Sequence, residues 1–374
     1  MRVIGSFKEA SSGGAAVSEH RTQSTPTLAT VARLAGVSRQ TVSNALNSPD
    51  LLRPETLARV QQVISEVGYA PNRAARNLRT RRARLVGMRF EPGPEHTADA
   101  LLDRFVHTLV DRSADAGLHV LLFSGRTPPD GEHPGEEEAV AGYAELWRTG
   151  AVDAFVLTDT YRGNPQAPWL EGQRAPFVAF GRPWDEPTAT HPWVDVDGAA
   201  GTRAATAHLI ERGHRRVAWM DLEPGSRITA DRREGWRGAM ESAGLDVAGL
   251  ELRADPTVAG GRETTRRLLD LPAHERPEAV VAVSDTVALG VVQALYERGL
   301  TPGRDLAVTG FDDSQSAQLL PGGLTTVRQP LELVAVALVE ALARLLDPDV
   351  TGPAQPDGGV LLEPTLVVRG SSGG

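Results

Sequence analysis

Residues 28–46, LATVARLAGVSRQTVSNAL, read as two short helices joined by a tight turn, and no other segment constrains the chain as strongly. Leu28, Val31, Ala32 and Ala35 recur at the spacing of one buried helical face. Gly36 breaks that pattern, and Ser38 stands where a cap would open a second helix with Val42 and Leu46 facing inward. The outward positions of the second helix are Arg39, Gln40, Ser43 and Asn44, side chains that suit base edges and phosphates. The pattern predicts a helix-turn-helix whose second helix enters the major groove. A surface helical hairpin that binds nothing is the other reading of this window.

Charge supports the first reading. The formal net charge of the 374 residues is -9, yet residues 21–84 hold eleven arginines against Asp50, Glu55 and Glu66. That stretch is therefore basic by eight charges, and the rest of the chain is strongly acidic. A basic head on an acidic body confines contact with nucleic acid to one surface. The chain has no cysteine, which excludes disulfides and thiolate metal sites. It shows no apolar run of about eighteen residues and no signal-peptide core, so a cytoplasmic protein is expected, with no membrane partner.

Around the hairpin the expected organisation is simple. Residues 1–24 are polar, aperiodic and expected to be disordered. Thr27 is placed to cap the first helix, and with Thr30 where a capping box would want Glu or Gln the cap is expected to be one-sided. Pro54 opens a third helix with Leu57, Val60 and Ile64 on one face and Gly68 at its end. The helix-turn-helix unit is thus expected over 25–70, with a connecting segment over 71–84.

After residue 84 the texture changes. LVGMRF (85–90), HVLLF (119–123), AFVLT (154–158), PFVAF (176–180), RRVAWM (215–220), AVVAVS (279–284) and LAVTGF (306–311) are short apolar runs. Helix-like segments separate many of them, a rhythm that predicts an α/β fold with largely parallel sheets. About 290 residues exceed one comfortable core, so two subdomains facing a cleft are expected. Ligand groups then belong at the carboxyl ends of strands. Asp312 follows one such run, where a carboxylate can accept two hydroxyls, and Arg182 follows another. Asp195 and Asp197 lack converging partners for a metal, and Asp197 is better placed to cap the helix after it.

TLATVARLAGVSRQTVSNALN (27–47) followed by RPETLARVQQVISEVGYAPNRAARNLRT (53–80) resembles the head and hinge of the lactose/galactose repressor (LacI/GalR) family. The likeness continues through VDVDG (194–198), HLIERGHRRVAWM (208–220), RREGW (232–236), SDTVALG (284–290), LAVTGFDD (306–313), LTTVRQP (324–330) and LEPTLVVRGS (362–371). It covers nearly everything after residue 24, and the order and spacing of the pieces are its specific feature.

The resemblance implies a homodimer on a pseudo-palindromic DNA operator, with a core like the periplasmic sugar-binding proteins, spanning 85–371. Its subdomains are expected at roughly 85–190 with 310–340, and 191–309 with 341–370. Arg39, Gln40 and Asn44 are expected at base edges, and Ser38, Thr41, Ser43, Arg79 and Arg81 at phosphates. In the hinge, Asn72, Ala75 and Leu78 match the pattern of a minor-groove helix, with Leu78 as the wedge between base steps. For the effector, a mono- or oligosaccharide, the family implies Trp193, Asp312 and Gln329, with Arg182, Ser284 and Asp285 close by. Ser284 stands where many members carry Asn, and Ala230 where some carry an effector-contacting Arg. Arg232 matches a widely shared arginine and is expected to orient its loop through Asp231 or a strand end.

No cofactor is implied. Nucleotide-binding, HExxH and GxSxG motifs are all missing, which argues against an enzyme. A stand-alone ligand-binding protein with a vestigial head is the alternative, and a sugar-processing enzyme a more distant one.

Overall fold

The computed structural model describes residues 26–69, 83–90, 100–124, 136–158, 160, 163–184, 189–222, 227–347, 349–350 and 359–373. The chain divides into two compact units after Arg81. The expected disordered stretch 1–24 and the hinge residues Asn72, Ala75, Leu78, Arg79 and Arg81 lie outside the described residues.

The first unit holds three helices, α1 (Leu28–Ala35), α2 (Arg39–Asn47) and α3 (Pro54–Val67). The cap on α1 is two-sided, against expectation: the Thr30 amide donates to the Thr27 hydroxyl, and the Thr27 amide to the Thr30 hydroxyl, each at 3.3 Å. A threonine oxygen thus reaches the amide that Glu or Gln serves in the usual box. Gly36 takes the left-handed conformation (φ 64°) and its N–H closes on Ala32 and Arg33, which turns the chain without a Cβ penalty. Ser38 then caps α2 through the Thr41 amide at 3.1 Å. Val31, Val42 and Val60 meet fully buried at the centre, one from each helix. Burying each contributes about 1.5–3 kcal/mol, which is what holds so small a unit together.

The second unit contains two six-stranded sheets. In one, the order is β11-β5-β4-β3-β1-β2, built from Gly359–Leu362, Trp193–Val196, Phe177–Phe180, Ala154–Leu157, Leu85–Arg89 and His119–Phe123, with every pairing parallel. In the other, the order is β12-β10-β9-β8-β6-β7, from Thr365–Val367, Thr325–Arg328, Ala307–Phe311, Ala279–Ala282, Val217–Asp221 and Glu251–Arg253. Only the β10/β12 pairing there is antiparallel. Helices follow the strands: α4 (Ala100–Asp115), α5 (Glu136–Thr149) and α6 (Gln166–Gly172), then α7 (Gly198–Glu211), α8 (Arg227–Ser242), α9 (Val258–Leu269) and α10 (Asp285–Glu297). A short α11 (Gln315–Leu319) and the long α12 (Leu331–Leu346) complete the set among the described residues.

The lobes are therefore divided differently from expectation. The first lobe holds the chain up to β5, then α12 and β11; the second holds α7 to β10, and β12 onward. The chain crosses between lobes three times, after Val196, after Arg328 and after Leu362. Two facts of packing cause this. Strand β5 pairs in parallel with both β4 and β11. The apolar face of α12, through Leu331, Val334, Leu338 and Leu342, packs with Phe105 and Leu109 of α4 in the first core. In the second lobe, α8 approaches α7 so closely that a Cβ on Gly235 would collide with the Ala199 carbonyl. No helix among the described residues is long and apolar enough to cross a membrane.

Candidate DNA-binding helix and effector cleft

On α2, Ser38, Arg39 and Gln40 are exposed, while Thr41, Ser43 and Asn44 are half-buried on the same side. The side-chain amide of Gln40 donates to the Asn44 Oδ1 at 2.9 Å, which holds the two amides in one fixed pair. Ser38 spends its hydroxyl on the helix cap and on Thr41 Oγ1, at 2.9 Å, so an anion here would meet the helix N-terminus more than the Ser38 side chain. Arg39 makes no ion pair with another described residue of its unit and projects from the first turn of α2.

In the second unit the carboxyl ends of both sheets bring charged groups together. Arg182, after β4, donates through Nε to Asp195 at 2.7 Å and through Nη2 to Asp231 of α8 at 3.0 Å. Asp195 belongs to the first lobe and Asp231 to the second, so one guanidinium ties the lobes. Burial pushes the Asp195 carboxyl above its ordinary range, against the pull of Arg182. Arg232, next on α8, donates to the carbonyl of Val283 at the end of β8, at 2.7 Å. Its Nη2 also lies 4.0 Å from Asp312, and its guanidinium stacks 3.7 Å from the Phe311 ring. Burial lowers its proton affinity, and Asp312, Asp195, Asp231 and Asp285 oppose that. Gln329, after β10, donates to Asp312 Oδ1 at 2.8 Å.

Asp312 and Asp313 are consecutive non-glycine residues at positive φ, 115° and 48°. Such backbone persists only where its surroundings over-determine it. Asp285 supplies one constraint: its carboxylate accepts the Ser314 amide at 2.7 Å and the Thr326 hydroxyl at 2.5 Å. Asp285 is thus buried beneath the loop and positions it, where an effector contact was expected. Ser284 caps α10 through the Val287 amide and so also serves the backbone. Trp193 stands in register with Gly359, whose missing side chain makes room for the indole, and packs with the cluster under α5 and α6. The indole that borders the cleft is Trp184, 4.3 Å from the Arg182 guanidinium. It lines an open recess with Leu157, Thr160, Ala167, Arg182 and His191. Thr160 Oγ1 and Trp184 Nε1 have no hydrogen-bond partner among the described residues.

Of the expected effector residues, the structure gathers Arg182, Asp312 and Gln329, and sets Trp193, Ser284 and Asp285 aside. It adds Asp231, Arg232 and Trp184. The last was findable, since Trp184 follows Arg182 by two residues at a strand's carboxyl end.

Burial, only partly offset by Thr326 and Ser314 and reinforced by the charge of Asp313, pushes the Asp285 carboxyl from 3.8 up to about 6. A raised pKa means that the folded state keeps this proton where the unfolded chain has lost it. The contribution is complete below 3.8 and disappears as pH rises through about 6. From pH 7 to pH 5 the wild-type protein should gain about 1 kcal/mol from this group, and Asp285→Asn should lack that gain. Parallel pH slopes of unfolding free energy in the two proteins would contradict the assignment.

A basic helix-turn-helix unit joined to a two-lobed core with a polar cleft defines a DNA-binding transcriptional regulator. Residues 27–72 match the family of bacterial regulatory proteins, lacI family, and residues 206–372 match a periplasmic binding protein-like domain. The HTH-type transcriptional regulator CelR of Thermobifida fusca is 34% identical over 92% of this chain and 98% of its own length. Among solved structures, a regulatory protein of LacI family from Chloroflexus aggregans is 36% identical, with a TM-score of 0.69 over 78% of this chain and 99% of its own. A CelR–cellobiose complex is 30% identical, with a TM-score of 0.67 over 92% of this chain and 99% of its own. The chain belongs to the lacI family of bacterial regulatory proteins, which are not enzymes.

Proposed function

We propose that the protein is a homodimeric, cytoplasmic repressor that releases a near-palindromic operator on the nucleoid when a neutral sugar fills the cleft between its lobes. The observation that carries this reading is the Asp312–Gln329–Arg232 group at the carboxyl ends of β9 and β10, facing the Arg182–Asp195–Asp231 tie. Each guanidinium in that group already has carboxylates beside it, which leaves hydroxyls as the fitting ligand chemistry. An indole bordering the recess suits the apolar face of a sugar ring. Because a relative has been solved with cellobiose, a β-linked disaccharide is the first probe to try.

Within the head, Arg39 and Gln40 read bases and Asn44 holds Gln40 in place while adding a third contact. Thr41, Ser43 and the N-terminus of α2 at Ser38 meet phosphates. Asn72, Ala75 and Leu78 are assigned to the minor groove, and Arg79 and Arg81 to phosphates, by family resemblance alone.

The test is a thermal-shift panel of mono- and disaccharides on the full chain, followed by operator affinity with and without any sugar that shifts it. On an operator selected from random duplexes, Arg39→Ala or Gln40→Ala should each cost about 1–3 kcal/mol, and much less on unselected DNA. Equal losses on both DNAs would show that α2 is not the reading helix.

A further inference from the structure

The loop that presents Asp312 is held mostly by its own lobe. The Asp312 amide donates to the Val327 carbonyl at 2.7 Å, and the Ser314 amide to Asp285. The Asp313 carboxylate accepts Arg328 Nε at 2.6 Å and Arg369 Nη2 at 2.5 Å. Those two cations hold its pKa below the ordinary carboxylate value, although burial pulls the other way. One contact comes from the opposite lobe: Arg104 on α4 donates through Nη1 to the Asp313 carbonyl at 3.2 Å.

We infer that Arg104 is a positioning residue that ties the posture of the Asp312 carboxylate to the closure of the two lobes. The inference takes its regulatory meaning from the proposed effector cleft, while the contact itself stands independently of that reading.

Geometry carries the argument. Asp313 has its side chain pinned by two arginines, and the peptide after it is held from both lobes, its N–H by Asp285 and its carbonyl by Arg104. Asp312 lies one residue upstream, at the less common of the two positive φ values. Releasing the carbonyl side of that peptide loosens the backbone next to Asp312, whose carboxylate Gln329 and Arg232 hold. Arg104 also sits on a firm base: Phe105 and Leu109 are buried in the first core, and the Phe105 ring lies 4.7 Å from Phe180, the last residue of β4. As Arg182 follows Phe180 by two residues, α4 moves with the strand end that carries the other interlobe tie. If the lobes part, Arg104 leaves with the first lobe and the strained loop loses that constraint.

Hydrogen exchange on the ligand-free full chain tests this. In Arg104→Ala, amides of the 312–317 segment should exchange at least tenfold faster, while those of α4 and β10 keep wild-type rates. Arg104→Lys retains a donor of similar reach and should restore most of the protection. If the alanine variant does not fold, Arg104→Gln, which keeps the aliphatic stem and shortens the reach, takes its place in the same comparison. Unchanged exchange over 312–317 would overturn the inference. So would acceleration spread through α4, because Arg104 would then be stabilising its own helix. A sugar panel that fails to stabilise the wild-type protein would overturn the proposed effector without moving this measurement.

Discussion

Replacing Asp312 with alanine is expected to weaken sugar binding by about 100-fold or more while leaving operator binding in the absence of sugar near wild type. A carboxylate accepting hydroxyls makes charge-assisted hydrogen bonds, each worth about 1.5–3 kcal/mol, and two of them account for such a loss. The side chain is only 17% exposed, so water does not replace those bonds cheaply. The substitution also takes one acid from beside Arg232, but Asp195, Asp231 and Asp285 continue to neutralise that buried cation. At φ 115° alanine is strained, and Asp312→Asn separates that strain from the chemistry, because asparagine tolerates positive φ better. Asparagine should lose less affinity than alanine, since one oxygen acceptor survives. By linkage, the factor by which sugar weakens operator binding equals the factor by which operator weakens sugar binding, and both should shrink toward one. Calorimetry with a sugar from the panel and operator titrations with and without it measure both sides. Unchanged sugar affinity in the alanine variant would remove Asp312 from the site.

The head was legible in the sequence because its information is local. Spacing at Val31, Val42 and Val60, glycine at 36 and 68 and proline at 54 each act within one turn of where they stand. Even the exception is local: Thr30 completes a box that the usual residue types would not suggest. In the second unit, each of the seven apolar runs overlaps a strand. Strand β5 escaped notice because its polar Asp195 interrupts the apolar run, and β7, β11 and β12 because edge strands are short and partly exposed. The division into lobes was not legible, since the apolar face of α12 would cover either sheet equally well. The pairing of β5 with β4 and with β11, where residues 193 and 359 stand in register, and the packing of α12 on α4 decide it.

The cleft shows the same boundary. Position after a strand singled out Asp312 and Arg182, and both do follow strand ends, because the end of a parallel strand is a property of local sequence. Direction within the strand was another matter. Trp193 opens β5 and covers a glycine on the neighbouring strand, whereas Trp184 lies in the loop beyond β4 and borders the recess. Arg182 was expected to offer donors to a ligand, yet Asp195 and Asp231 occupy two of its nitrogens. Long-range partners of this kind come from the second lobe, and no pattern around residue 182 announces them. Arg232 was expected to serve a strand end and does so at Val283, and its approach to Asp312 depends on how α8 is seated.

The seating of α8 yields the largest stability effect, and Trp236→Ala is expected to destabilise the second unit by about 3–5 kcal/mol. Trp236 is fully buried among Val217, Met240 and Leu209, and its Nε1 donates to the Val217 carbonyl at 3.0 Å. Truncation removes the apolar contacts and also leaves that carbonyl without its side-chain donor. How much a core substitution costs depends on whether the site can collapse, and here it is prevented from doing so. Gly235 already brings the α8 backbone against the Ala199 carbonyl of α7, so the helix cannot move inward to fill the space. The cost should therefore fall near the upper end of the range. Trp236→Phe keeps most of the ring and loses only the N–H and part of the volume, and should cost about 1–2 kcal/mol. Asp231 and Arg232 lie little more than one turn before Trp236 on the same helix, so sugar affinity should fall as well, by less than in Asp312→Ala. Denaturant unfolding of the full chain, read through the transition of the second unit, measures the stability loss. A cost under about 1.5 kcal/mol for the alanine variant would show that α7 and α8 do close over the vacated space, contrary to the contact at Gly235.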